Sequence, residues 1–333
     1  MKREAGSVAR EAEGGKRDAD RESQRIRSLR PAKGWVDPYV AQGALVERER
    51  RPGGLVEQTL TVFLAGAECP FTCSFCDLWR FTIDGPTPAH ALTTQLRRTL
   101  EAGDFGGIDR IKLYNASNFF DRRAVGLPDF LGLAELVSQF GAVTVESHAS
   151  LIGERAVELA RAITGRLEVA IGLETIHPIA RERLNKRLEL STFDKAADFL
   201  ADNGIDLRVF VLLGAPHVPA AESVEWTVKT VEYAIDRGAS VVSIIPVRGG
   251  NGEMERLQAL GEFTPPSLDD LDAVIDQCAA SARAVVTADL WDIERINRCV
   301  ECGPRRISRL ERINGSGVIE ERIGCDACGA VTA

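Results

Sequence analysis

Three cysteines stand at positions 69, 73 and 76 in the run C-P-F-T-C-S-F-C, a C-x3-C-x2-C spacing. Three thiolates from one short loop suit three corners of an iron–sulfur cube. A cube has four irons, so the fourth keeps an open position for a substrate or cofactor. A three-cysteine zinc site completed from elsewhere, or buried free thiols, would use the same residues. Four more cysteines form two C-x2-C-G knuckles, Cys299 with Cys302 and Cys325 with Cys328. Four thiolates close the coordination of a zinc ion, which would make this site structural. An auxiliary iron–sulfur cluster would need the same four, and disulfides are a third reading. Between the knuckles, RRISRLERINGSGVIEERIG reads as a β-hairpin turning at Asn-Gly-Ser-Gly. Knuckles and hairpin together describe a zinc-ribbon-like module. The eighth cysteine, Cys278, falls at helical spacing with Leu268, Leu271, Val274 and Ile275 and reads as a core thiol.

The elements that must position the first three thiols form a regular series. Apolar runs at 60–65, 110–114, 142–146, 167–172, 207–213 and 239–246 read as buried parallel strands. Helical patterns separate them, as at 191–203 and 222–237. Six such βα units close into a barrel or spread as an open doubly wound sheet. In both, chemistry sits at the C-terminal ends of the strands. Each run here ends in glycine or polar residues: Cys69 after the first, Asn115 and Ser117 after the second, Glu146 and His148 after the third, Glu174 after the fourth, His217 after the fifth, Arg248 after the sixth. The alternation stops after residue 283.

The whole chain has 333 residues, 44% hydrophobic and 27% charged, enough for a sizeable core. No stretch approaches the ~20 apolar residues of a membrane span, so no membrane partner is expected. The first residues carry no apolar secretory signal, which points to the cytoplasm, where clustered thiols are metal ligands more often than disulfides. Residues 1–33 carry a charge of +4 and the remainder −12. An acidic body argues against a broad nucleic-acid surface but not against a local basic groove. The domain expectation is a disordered charged tail over 1–33, a barrel with flanking segments over 34–290, and the four-cysteine module over 291–333.

The cysteine loop resembles the C-x3-C-x-aromatic-C motif of the radical S-adenosylmethionine (radical SAM) superfamily, with Phe75 at the aromatic position. The resemblance covers about residues 58–265. It implies a partial (β/α)6 TIM-type barrel, a 4Fe-4S cluster on Cys69, Cys73 and Cys76, and S-adenosylmethionine on the open iron. It implies reductive cleavage of that cofactor to a 5′-deoxyadenosyl radical, driven by a one-electron donor of flavodoxin or ferredoxin type. Asn115-Ala116-Ser117 stands where the family binds the methionine amino group, although the usual Gly-Gly-Glu is absent. Glu146 and Glu174 match positions that contact the cofactor. Lys186 matches one that pairs with the methionine carboxylate, and Leu212 one that flanks the adenine. No catalytic residue beyond the cluster is assigned.

Within the superfamily, KLYNASNFFD, VES, IGLET, LNK and VLLGAP resemble the subset holding the Elongator catalytic subunit, the tRNA methylthiotransferases and the archaeosine-biosynthesis lyase. The resemblance points to RNA, tRNA first, as substrate. A small-molecule or peptide substrate is the rival, and a non-catalytic metal-binding scaffold the alternative of another class. Arg305, Arg306, Arg309 and Arg312 could meet RNA phosphates or form a solvated hairpin face. Trp79 and Arg80 could cover the cluster, His148 and His217 could contact substrate, and the loop 248–253 could approach it.

Overall fold

The computed structural model describes residues 20–281 and 283–330, so most of the expected tail, residues 1–19, lies outside the described residues. Eight strands form one sheet in chain order: β1 (Gly43–Arg50), β2 (Val56–Phe63), β3 (Arg110–Tyr114), β4 (Ala142–Glu146), β5 (Arg166–Glu174), β6 (Asp206–Leu213), β7 (Val241–Pro246) and β8 (Val285–Ala288). β1 is antiparallel to β2, and every later pair is parallel. Residues 20–28 form helix α1. The crossovers carry α2 (Ala91–Ala102), α3 (Leu127–Val137), α4 (Glu154–Ala162), α5 (Pro178–Arg183), α6 (Leu190–Asp202), α7 (Ser223–Asp236), α8 (Glu253–Ala259) and α9 (Leu268–Cys278), and α10 (Gly303–Ser316) follows β8.

Alternation along the strands sorts two environments. On β3, Ile111 and Leu113 lie in the main apolar core together with residues of the helices, such as Leu92 and Leu133. Arg110 and Lys112 face the other way into a buried ionic layer. There Arg208 on β6 donates to Glu168 on β5 (2.9 Å) and to Glu49 on β1 (2.8 Å). Arg51 reaches Glu168 (2.5 Å), Arg110 reaches Glu57 (2.7 Å) and Lys112 reaches Glu49 (2.9 Å). Burial opposes charge on Glu168, but Arg208, Arg51 and Arg110 hold its carboxyl well below the usual range. The Arg208–Glu49 contact also fixes the curvature. Five strand spacings of ~4.8 Å would separate β6 from β1 by ~24 Å in a flat sheet, so the sheet must curl into the expected partial barrel.

Three expectations change. Two strands were hidden. β1 has charged residues at its inward positions, so it shows no apolar run, and β8 has only four residues. The expected hairpin between the knuckles is α10. Arg306, Arg309, Leu310 and Ile313 recur at helical spacing and are buried, Pro304 sits in the first turn, and Gly317 caps the end in the left-handed region (φ 72°). The Asn-Gly-Ser-Gly stretch thus ends a helix instead of turning a ribbon. Finally, residues 20–33 of the expected disordered tail are ordered. Ser23 and Ile26 are buried, and Arg25 pairs with the buried carboxylate of Glu253 (2.5 Å).

α10 closes the open seam between the edge strands. Arg50 on β1 donates to the carbonyls of Asn314 (3.3 Å) and of Val286 on β8 (3.4 Å). The Asn314 carboxamide accepts from the Ala288 N–H (2.9 Å) and donates to the Ala288 carbonyl (2.8 Å).

Candidate active site

The cysteine loop leaves β2 at the C-terminal mouth of the barrel, and three asparagines from distant segments hold it. Asn118 Nδ2 donates to Cys69 Sγ (3.1 Å). Asn185 Nδ2 donates to the Thr72 carbonyl (2.7 Å). Asn251 Nδ2 donates to the carbonyls of Ser74 (2.8 Å) and Cys76 (3.2 Å). All three asparagines are buried. Asn251 belongs to the loop read as a substrate loop, and its side chain bonds the cysteine loop. The Ser74 N–H adds a bond to the Leu184 carbonyl (2.9 Å). Burial pushes the Cys73 thiol up to about 12 and Cys76 well above its usual value.

The next strand ends build the wall beside these thiols. Asn115 and Ala116, the latter at φ 53°, turn their N–H groups onto the Glu146 carboxylate, with 2.9 Å from Asn115 N. Burial raises Glu146 to about 7, against those N–H groups and the Lys186 ammonium. Across the mouth, a register shift between Gly172 and Glu174 ends β5, and Glu174 takes φ 69°. Its carboxylate receives Lys186 Nζ at 2.5 Å. Lys186 lies between two left-handed residues, Asn185 and Arg187, a local path that aims its side chain inward. Burial works against the Lys186 charge, yet Glu174, Cys73 and Cys69 raise its pKa above the usual value. A Cβ on Gly172 would run into the Glu174 carboxylate and lie 2.6 Å from Lys186 Nζ, so only glycine leaves this pair its place.

Phe75 and Leu212 meet in a small apolar cluster at the mouth, with Met254, Leu257 and Phe263. His148 stacks on Phe71 of the cysteine loop (3.9 Å between centroids) and bonds to Ser150 and the Lys186 carbonyl. Burial and Lys186 hold its imidazole down to about 3, so it stays neutral and acts as a buttress. Trp79 is buried, with Arg30 and Arg80 over its ring. His217 lies 3.2 Å from Glu262.

The donor set fits a three-cysteine cluster with a polar guest. Asn115 is 0% exposed, yet neither its amide nitrogen nor its oxygen has a partner, and the Ser117 hydroxyl is likewise buried and unpaired. Unmatched buried polar groups are rare and costly unless a ligand satisfies them. Together with Glu146 and Lys186 they offer a polar ligand both donors and acceptors.

The second cysteine group gathers as expected. Ligand atoms of Cys299, Cys302, Cys325 and Cys328 all lie within 4.8 Å of one another. Cys299 and Cys325 are 3.9 Å apart, and Cys302 and Cys328 3.6 Å. Of the four arginines singled out there, three are tied to carboxylates and Arg305 is exposed. Arg306 pairs with Asp269 and Asp272, Arg309 with Asp272 and Asp276, and Arg312 with Glu320. Cys278 is buried in the core, where burial pushes its thiol up to about 12.

Sequence reasoning missed Asn118, Asn185, Asn251 and the segment 20–33. That segment touches the cysteine loop through Arg30, which donates to Glu68 (2.8 Å), and reaches Asn185 through Ser23 (3.1 Å). Asn118 stood in the NASN run already singled out, which was its one available signal.

No helix among the described residues is long and apolar enough to cross a membrane. No protein-family model matches the chain. The archaeosine synthase subunit beta of Methanosarcina acetivorans is 22% identical over 240 residues, 68% of this chain and 69% of that protein. Among solved structures, the Elp3 of the archaeon Methanocaldococcus infernus, with an N-terminal deletion, matches with a TM-score of 0.51 at 16% identity. That match covers 66% of this chain and 58% of Elp3, so the chain spans little more than half of that structure. The match with Elp3 bears out the expected partial-barrel fold, and both relatives fall among the proteins whose motifs this sequence resembles.

Proposed function

We propose that this chain is a radical SAM enzyme whose Cys69, Cys73 and Cys76 hold a 4Fe-4S cluster beside a site for S-adenosylmethionine. Bound together, the two groups supply carbon-centred radical chemistry that removes a hydrogen atom from a substrate. The chain's own residues bind and orient. Asn115 and Ser117 offer unpaired polar atoms to the methionine end. Lys186, now on Glu174, is the cation for a carboxylate. Glu146 and Glu174 accept from hydroxyl or ammonium donors, the Ala116 backbone shapes the turn, and Phe75 with Leu212 presents an apolar wall to an adenine. The observation that carries this reading is the buried, partnerless Asn115 carboxamide beside Glu146, at the strand ends that face the three-cysteine loop.

The substrate is RNA, tRNA first, and the chain works in the cytoplasm with a flavodoxin- or ferredoxin-type electron donor. The similarity to archaeosine synthase subunit beta and Elp3 supports the RNA reading. A small-molecule or peptide substrate is favoured by one observation: Arg306, Arg309 and Arg312 are tied to carboxylates. Mass spectrometry of RNA and metabolites from a deletion strain separates the two readings.

The four-cysteine group holds one zinc ion. A tetrahedral ion with Zn–S bonds of ~2.3 Å places its sulfurs ~3.8 Å apart, which the 3.9 and 3.6 Å separations match. A cube spreads its ligands wider. Metal analysis should find one zinc per chain after iron removal.

Anaerobic reconstitution with iron and sulfide, then reduction with S-adenosylmethionine, tests the main reading. The expected product is 5′-deoxyadenosine, lost in Cys76→Ala with zinc content unchanged. An intact cluster that yields none of this product would make the chain a metal-binding scaffold.

A further inference from the structure

The three loop thiols are not equivalent. Among the described residues, only Cys69 receives a side-chain hydrogen bond, from Asn118 Nδ2 at 3.1 Å. The orientation of that carboxamide is fixed by its other end. Asn118 Oδ1 accepts the backbone N–H of His148 at 2.7 Å, so the oxygen cannot face the sulfur and the amino group must. The residue is 3% exposed, which removes competing water. The partner is itself braced. His148 stacks on Phe71 within the cysteine loop, and its ring nitrogens are engaged by Ser150 and the Lys186 carbonyl. Asn118 thus joins the end of β4 to the first cysteine through two bonds with assigned polarity.

We propose that Asn118 is a positioning residue that sets the reduction potential of the cluster through Cys69; this rests on the proposed function. An N–H pointed at a ligand sulfur stabilises the more negative, one-electron-reduced state and so raises the potential. The other two corners lack such a donor from a side chain. The adjacent Lys186–Glu174 pair is close to neutral as a unit, and the Phe71 backbone N–H that also meets Cys69 is common to any side chain at 118, so the carboxamide is the directional influence that a substitution there removes.

The test is an EPR-monitored potentiometric titration of the anaerobically reconstituted full chain, with iron and sulfide counted first and dithionite as reductant. Asn118→Leu removes the donor at similar volume. It should move the reduction equilibrium about tenfold toward the oxidised state, which is about 59 mV for one electron. Asn118→Asp keeps the acceptor for the His148 N–H but places a carboxylate against the sulfur. Its midpoint should fall further and should recover as pH drops and the acid gains a proton to donate, whereas the wild type shows no such recovery. The Asp variant reads the lost donor even where the Leu variant does not fold. Equal iron content with midpoints identical to wild type in both variants overturns the role of Asn118 and leaves the proposed function standing. A wild-type chain that assembles no four-iron cluster overturns the proposed function itself.

Discussion

The two cysteine groups of this molecule solve opposite problems. The four C-terminal thiols converge within 4.8 Å, and among the described residues the three loop thiols do not form so tight a group. The knuckle backbone is already turned to anions. N–H groups of Cys302 and Glu301 hold Cys299 down to about 7, while burial pushes Cys302 up to about 12. The loop thiols gain little from backbone donors, and burial raises all three. The loop is held in shape by Asn185 and Asn251 through its carbonyls, and Asn118 adds one bond to a sulfur. Under the proposed function, one group is preorganised for a single ion and the other frames a larger inorganic guest.

The largest effect should come from Cys302→Ser. Loss of a structural thiolate metal at the start of α10 should cost on the order of 5 kcal/mol or more. Chemical denaturation with metal analysis would show it, whereas Cys73→Ser should leave zinc and stability nearly unchanged. Equal losses from both would erase the distinction between the groups. Arg309→Ala comes next. It removes the buried cation that Asp272 and Asp276 share, leaving them Arg306 and Arg322, which should cost about 2–3 kcal/mol. The exposed pair broken by Arg312→Ala should leave stability nearly unchanged.

Glu146 gives a pH-dependent signature on the other side of the comparison. Its carboxyl is raised by burial to about 7 in the fold. Its contribution to ligand-free stability is therefore present below the unfolded value and lost as pH rises through about 7. Glu146→Gln should make the ligand-free protein more stable at pH 8 by about 2–3 kcal/mol, with no gain at pH 4, while weakening S-adenosylmethionine binding measured by calorimetry. A further effect at the mouth should come from Gly172→Ala. The new methyl displaces the Glu174–Lys186 pair at about 1–3 kcal/mol, and cofactor affinity should fall by more than the melting temperature suggests.

How much of this was legible follows from where each signal lives. Six strands and both cysteine groups were readable, because an outward apolar face and a fixed ligand spacing are local properties of the chain. β1 was not, since its inward side chains, Glu47 and Glu49, find their partners on β3 and β6 and look soluble in isolation. α10 was misread as alternation because arginines occupy its buried face, and their burial is only possible opposite Asp269, Asp272 and Asp276 on α9. The asparagines of the cysteine loop act across 49 to 177 residues of sequence. Asparagine in a glycine-rich loop announces a turn, and nothing local tells a turn from a clamp.

The bridge that α10 makes between β1 and β8 has a consequence for biosynthesis. During translation the thiols of the first loop leave the ribosome roughly 240 residues before Ser316 does, an interval on the order of 10–50 seconds at ordinary elongation rates. Throughout it the nascent wall has no closing helix, so the edges β1 and β8 stand unbridged. Release of the last helix then ends that window.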